Sequence, residues 1–170
     1  MWWIELVQVV DEMDNIIWYK SRKDLTDNDV WRIIVVNIYD ETWEYILVQE
    51  RSKLKKLDAW LWSLAVAWTL DKDDTYESCA IREIEEEIWV VCKDIKELSK
   101  VFYKSSLWYR QCVIYNAYIS IDTNIIIQEE EVEQVKWVWW KELKRWVNSN
   151  PEDFTKYTIE ILKDLEFFRY

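Results

Sequence analysis

The chain has 170 residues, one domain's worth and enough to bury a core. Lys and Arg number 22 against 33 Asp and Glu, and the net charge of −11 repels a phosphate backbone, which excludes a nucleic-acid polymer as partner. No apolar run reaches the roughly 18 residues of a membrane span and no charged-then-apolar leader opens the chain, so a soluble, cytoplasmic protein without membrane contact is expected. Cys79, Cys92 and Cys112 are odd in number and lack C-x-x-C spacing, which fits a reducing compartment better than a disulfide framework or a zinc site. With no His, Ser-His-Asp and Cys-His catalysis are excluded.

In chain order, Ile4–Val10 and Ile16–Tyr19 alternate around a polar turn at 11–15 and predict a hairpin. Arg32–Tyr39 and Glu44–Gln49 predict a second strand pair around 40–43. Arg51–Asp58 reads as a basic-rich loop, and Leu61–Ala67 as one buried strand. Thr75–Ile88 has helical periodicity, with Ala80, Ile81, Ile84 and Ile88 as its apolar stripe. Strands follow at Leu98–Tyr103, Cys112–Ile121 and Val135–Trp139. A helix is expected over Lys141–Val147, then a last one opened by Asn150, Pro151, Glu152 and Asp153. Without repeats or a Pro/Gly/Ser linker the chain reads as one domain over residues 1–170, a mixed sheet packed between helices.

One feature of the composition is abnormal: there are 14 Trp but no Gly, where about 12 Gly are expected at ordinary usage near 7%. Trp43 and Trp18 fall at or beside turns that call for a residue tolerant of positive φ, which Trp is not. Many of these Trp are therefore expected to stand at glycine-type positions, with Trp31 a candidate His-type position.

The chemistry concentrates at Arg82-Glu83-Ile84-Glu85-Glu86-Glu87. At 100° per residue Glu83, Glu86 and Glu87 share one helix face, away from the isoleucine stripe. Like charges at i,i+3 and i,i+4 repel by a few tenths of a kcal/mol each, so helix stability does not account for the trio. A hard cation with oxygen ligands does; a solvated acidic face is the plainer alternative.

The wider context favours the cation. Residues 68–90 resemble the Nudix (MutT-like) box, G-x5-E-x7-R-E-U-x-E-E-x-G-U with U apolar. Arg82, Glu83, Ile84, Glu86, Glu87 and Val90 match, Asp74 stands for the first Glu, and Trp68 and Trp89 stand for the two glycines. The lead-in at 60–67 and the late Val135–Val138 strand with Lys141-Glu142-Leu143 are similar to the family as well. The resemblance implies an α+β fold, the Nudix α/β/α sandwich, and a hydrolase that cleaves a diphosphate linkage in a small nucleoside-diphosphate-type or related substrate. It implies Mg²⁺ or Mn²⁺ held by Glu83, Glu86, Glu87 and the backbone carbonyl of Ala67, with Arg82 orienting the carboxylates. Metal neutralises diphosphate charge and activates water; a carboxylate or a loop acid from Glu129-Glu130-Glu131 would take the proton.

Within the family, the hairpin at about 1–25, Ser21-Arg22 and the Asp153–Thr155 segment look like the branch containing isopentenyl-diphosphate isomerase. An isomerase is weakened as a reading because its catalytic Cys falls at Ala67 and its strand glutamates around Trp108 and Arg110. A non-catalytic binding module is the other alternative, since Trp68 would crowd the diphosphate and Trp89 would strain the helix end. Trp62 and Trp137 read as core aromatics, Cys79 and Cys112 as buried small hydrophobes. Arg51 with Lys53, Lys55 and Lys56 reads as a basic loop, Tyr109 and Arg110 as candidate pocket residues. A homodimer stays open.

Overall fold

The structure is a computed structural model and describes residues 5–92, 94–104 and 109–164. Its nine strands are β1 (Leu6–Val10), β2 (Ile16–Ser21), β3 (Val30–Tyr39), β4 (Tyr45–Arg51), β5 (Trp62–Leu64), β6 (Val66–Thr69), β7 (Ile95–Lys104), β8 (Tyr109–Tyr118) and β9 (Val132–Trp139). Three helices accompany them: α1 (Tyr76–Ile88), α2 (Trp140–Ser149) and α3 (Lys156–Asp164). β1 and β2 form the expected hairpin; Ile4 lies outside the described residues. The Asp11 carboxylate accepts from Met13 N and Asn15 N, and Asp14 takes the left-handed position at φ 66°. Trp18 is thus not a turn residue: it lies within β2, exposed.

β3 organises the sheet. One edge runs parallel to β8, which pairs antiparallel with β7. The other edge meets three strands in succession: β1 at Val30–Trp31, β6 at Ile33–Val36, and β4 at Ile38–Tyr39. β3 and β4 therefore part after two residue pairs. The predicted strand over 61–67 is broken at Ala65 for this reason: β5 stays on β4, and the chain bends so that β6 crosses to β3. β4 continues against β9.

Side chains alternate across β3, as the pleat dictates. Ile34, Val36 and Ile38 join a core with Cys79, Ala80, Ile84 and Ile88 of α1. Ile33 and Val35 join a second core with Leu143 and Val147 of α2 and Ile161 and Leu162 of α3. A mixed sheet between helices on both faces results, the α/β/α sandwich. On α1, Cys79 takes the fully buried place expected of Ile81, which is half-buried. The last helix begins later than the sequence suggests. Pro151–Asp153 is a single 3-10 turn, and α3 starts after Thr155, whose hydroxyl accepts from Thr158 N. Trp62 packs edge-on against Trp146 and Trp137 lies against the first core, both as expected. No helix among the described residues is long and apolar enough to cross a membrane.

Candidate active site

α1 begins with reciprocal capping. The Thr75 hydroxyl accepts from Ser78 N at 3.1 Å, and Ser78 Oγ accepts from Thr75 N at 2.9 Å. The loop before it is fixed from the hairpin. Gln8, buried in β1, donates to the carbonyls of Asp71 (2.8 Å), Lys72 (3.2 Å) and Asp74 (2.7 Å), while its own carbonyl accepts from Arg32 at 2.7 Å. Arg32 and the Tyr76 hydroxyl both donate to Asp14, which ties the hairpin turn to the first turn of the helix.

Arg82 reads this loop. Its Nη2 donates to Asp74 at 2.7 Å, and its Nη1 contacts Glu83 and donates to Glu86 at 3.3 Å. The orienting role implied for Arg82 thus has its contacts. The carboxylate trio does not act as one face. Glu83 and Glu87, at i and i+4, are buried at 2% and 3% exposure, whereas Glu86 faces solvent. Burial outweighs the pull of Arg82, with Glu86's charge adding to it, and pushes Glu83 up to about 8. Glu87 is pushed up to about 8 as well by burial, which outweighs its one hydrogen bond, from Gln49 Nε2 at 3.0 Å. The charge of Glu83 adds to that shift. Two carboxylates whose ionisation burial disfavours, beside the unpartnered buried Oε1 of Gln49, are a donor set suited to a hard cation. Among the described residues no three acidic, His or Cys side chains stand ready as a cage, so Glu86 would have to leave Arg82 and turn inward.

Ala67 lies on β6 at the edge of a cleft of about 320 Å³ between β3, β6, the 51–58 loop and α3. Trp68 lines the same cleft, with Arg22 at 4.7 Å and Lys55 at 5.5 Å from its ring centroid, so an indole does occupy this wall. Arg51 and Arg110 also line it; Tyr109 instead donates to Glu12 at 2.7 Å. Trp108 lies outside the described residues. In the basic loop, Lys53 pairs with Glu133 and Lys55 with Glu131, whose charge also raises the Glu87 pKa. Glu131 thus neighbours the carboxylates, while Glu129 and Glu130 are exposed. Cys79, Cys92 and Cys112 are buried thiols, as expected of small hydrophobes.

Five non-glycine residues among those described have positive φ: Asp14, Trp43 (65°), Asp58, Trp60 (68°) and Trp89 (54°). Trp43 and Trp89 match the expectation from sequence; Trp60 is an addition hidden within the lead-in to β5. Gln8 and Gln49 are the other two residues that sequence reasoning missed. Their signal is a lone amide inside an apolar strand run, which a buried position keeps only with a partner.

A family model described as NUDIX domain matches residues 30–158. An uncharacterized Nudix hydrolase of Pseudomonas aeruginosa is 25% identical over 138 residues, covering 79% of this chain and 78% of its own. Isopentenyl-diphosphate Delta-isomerase 2 of Photorhabdus laumondii is 25% identical over 167 residues, covering 96% and 93%. A crystal structure of a Deinococcus radiodurans protein superposes with a TM-score of 0.74 at 19% identity, over 85% of this chain and 90% of that one.

Proposed function

The chain belongs to the Nudix family and is a Nudix-type hydrolase, and from that premise we propose that it cleaves the diphosphate linkage of a nucleoside-diphosphate-type or related small molecule with Mg²⁺ or Mn²⁺. The observation that carries this reading is the buried pair Glu83 and Glu87, both pushed up by burial, on a helix whose Arg82 is already engaged with Asp74 and Glu86. Glu83, Glu87, Glu86 and the Ala67 carbonyl would hold the cation. When bound, it would neutralise diphosphate charge and lower the pKa of attacking water.

The chain's own residues divide the remaining work. Arg82 holds Glu83 and Glu86 in place through charge-assisted bonds. Gln49 holds one oxygen of Glu87 and leaves the other oriented. The attacking water must lose a proton to a carboxylate; Glu131, paired with Lys55 and near enough to act on Glu87, is the loop acid outside the ligand set that would take it. The reading treats residues 1–170 as one domain.

An isomerase is the second reading, favoured by the Photorhabdus relative, whose match spans 96% of this chain. Ala67 offers no thiol for proton transfer at the cleft edge, and Arg110 supplies a cation where that chemistry needs a carboxylate. The test is Mg²⁺-dependent turnover on nucleoside-diphosphate conjugates, dinucleotides and prenyl diphosphates, with Glu86→Gln and Glu87→Gln beside the unaltered chain. We expect hydrolysis of at least one conjugate, reduced about a hundredfold or more in both variants. Double-bond migration in a prenyl diphosphate would instead establish the isomerase. A folded protein inert toward every member is a binding module.

A further inference from the structure

The cleft beside Ala67 carries more positive charge than a diphosphate at the carboxylate helix requires. Arg22, Arg51 and Arg110 all line it, against one acid, Asp58, which makes no ion pair with any of the three. Arg22 is paired with Glu5 at 2.7 Å. The other two have no carboxylate partner among the described residues. Arg51 makes one long bond, from Nη2 to the Leu57 carbonyl at 3.4 Å, and its Nε is buried without any partner. Among the described residues Arg110 donates once, to the Tyr109 carbonyl at 2.8 Å, and stacks over Trp31. A half-buried guanidinium with no counter-charge is costly unless something anionic completes it. Burial accordingly holds the Arg110 guanidinium below its usual range, down to about 9, and outweighs the opposing charge of Asp27, which is not within ion-pair reach.

The position of Arg110 separates it from the diphosphate. In the β3–β8 register Arg110 is opposite Trp31, and in the β3–β6 register Ala67 is opposite Val35. Four residues along β3 are roughly 13 Å, and β8 and β6 lie on opposite edges of that strand, roughly 10 Å apart. A diphosphate bound at the Ala67 end does not span that distance, so the group that meets Arg110 is a different part of the substrate. The floor between the two points is apolar, built from Ile33 and Val35, which suits the uncharged body of a conjugate rather than a run of phosphates.

We propose that Arg110 is a specificity-determining residue that binds a second anionic group, a phosphate or carboxylate, on the part of the substrate beyond the cleaved diphosphate. Arg51 supplies its buried Nε to the stretch between. The proposal rests on the hydrolase reading for the orientation of the substrate, and not on the indoles of Trp31 or Trp68, because the charge imbalance lies in the arginines.

The test is equilibrium binding in EDTA, read by calorimetry, on matched conjugates. Coenzyme A and dephospho-coenzyme A differ by a phosphate remote from the diphosphate; UDP-glucuronate and UDP-glucose differ by a carboxylate. The unaltered chain should bind the more anionic member of one pair about tenfold or more tightly, as a charge-assisted bond gives. The pair that shows it identifies the group. Arg110→Gln should erase the difference without changing the far-UV spectrum, and Arg110→Lys should retain part of it. Equal binding within both pairs by the unaltered chain, or a preference that survives Arg110→Gln, overturns the proposal. Because binding is read without metal or turnover, failure of the hydrolase reading in the activity panel leaves this outcome separately visible.

Discussion

The two ends of α1 are secured by opposite means. At the start, side chains do the work: Thr75 and Ser78 cap each other, Gln8 clamps the preceding carbonyls, and Arg82 spans from Asp74 to Glu86. At the finish, backbone closes the last turn, and Gln49 is the side chain that reaches in, to Glu87. Trp89 N donates to the Glu85 carbonyl at 3.0 Å, and the 126–128 segment donates to the carbonyls of Ile88 and Glu87 from Ile126 N (3.2 Å) and Gln128 N (3.0 Å). Trp89 itself stands left-handed and 68% exposed, contributing a Cβ where none is wanted. A site can thus be held by chemistry written in side chains at one end and by a conformation imposed on an ill-suited residue at the other.

Glu83 belongs to the first end and Glu87 to the second, and their titration is the sharpest way to tell the ends apart. Both carboxyls are pushed up from 4.5 to about 8, so the folded chain holds these protons more tightly than the unfolded one. Their contribution to stability is complete below the unfolded value and is lost as pH rises through the folded one. The metal-free protein should therefore lose stability between about pH 5 and pH 8, and the gain in melting midpoint from added Mg²⁺ should grow over the same window. Glu87→Gln and Glu83→Gln should each flatten the metal-free curve, and Glu83→Gln should also lower it throughout, because it surrenders the charge-assisted contact with Arg82. Thermal melts in EDTA and in Mg²⁺ across that range are the measurement. A metal-free midpoint rising toward pH 8 would contradict the burial argument.

The side-chain end can be broken at Gln8. Gln8→Met keeps the volume but removes the side-chain donor from three carbonyls, of which Asp71 O retains Asp74 N, and the acceptor from one arginine nitrogen, at a cost of about 1–3 kcal/mol. For a chain of this size that is a fall of roughly 2–4 °C in midpoint per kcal/mol. Turnover should drop as well, since the Asp74 that Arg82 grips is carried on the released loop. An unchanged midpoint would mean that the loop holds itself.

Much of this was legible in the sequence because periodicity and spacing speak directly. The hairpin, α1, β9 and the Arg82–Glu87 series are local patterns, and the structure follows them. The break at Ala65 was not legible, since it arises from the parting of β3 and β4, a tertiary event that no run of apolar residues records. Nor was the split between Glu86 and its neighbours. Helical spacing puts the three on one face, but of that face only Glu83 and Glu87 are covered, while Glu86 at its margin stays in solvent. The left-handed positions were half legible: Trp43 and Trp89 sit beside recognisable stops, whereas Trp60 lies inside an apolar lead-in and is forced round by bonds from Trp60 N to Arg51 O and Leu61 N to Asp58 O.

The backbone end can be repaired. A side chain at a left-handed position costs roughly 1–2 kcal/mol, and glycine returns about 0.5–1 kcal/mol of that through its freer unfolded state. Trp89→Gly should therefore leave a net gain of up to about 1 kcal/mol, or roughly 2–4 °C in midpoint, because an indole 68% exposed has little burial to lose. The same substitution at Trp62 should do the reverse, since that ring packs at 5.1 Å against Trp146 in extended backbone. Trp89→Gly also removes a wall of the hollow of about 470 Å³ that the indole forms with Glu85, Glu86 and Gln128. If Trp89→Gly melts lower than the unaltered chain, the left-handed turn is held by the indole's own contacts and position 89 is not a glycine-type position. An intact mass lower than the sequence requires by whole multiples of the Trp-to-Gly difference would show that such positions already carry glycine in the folded protein.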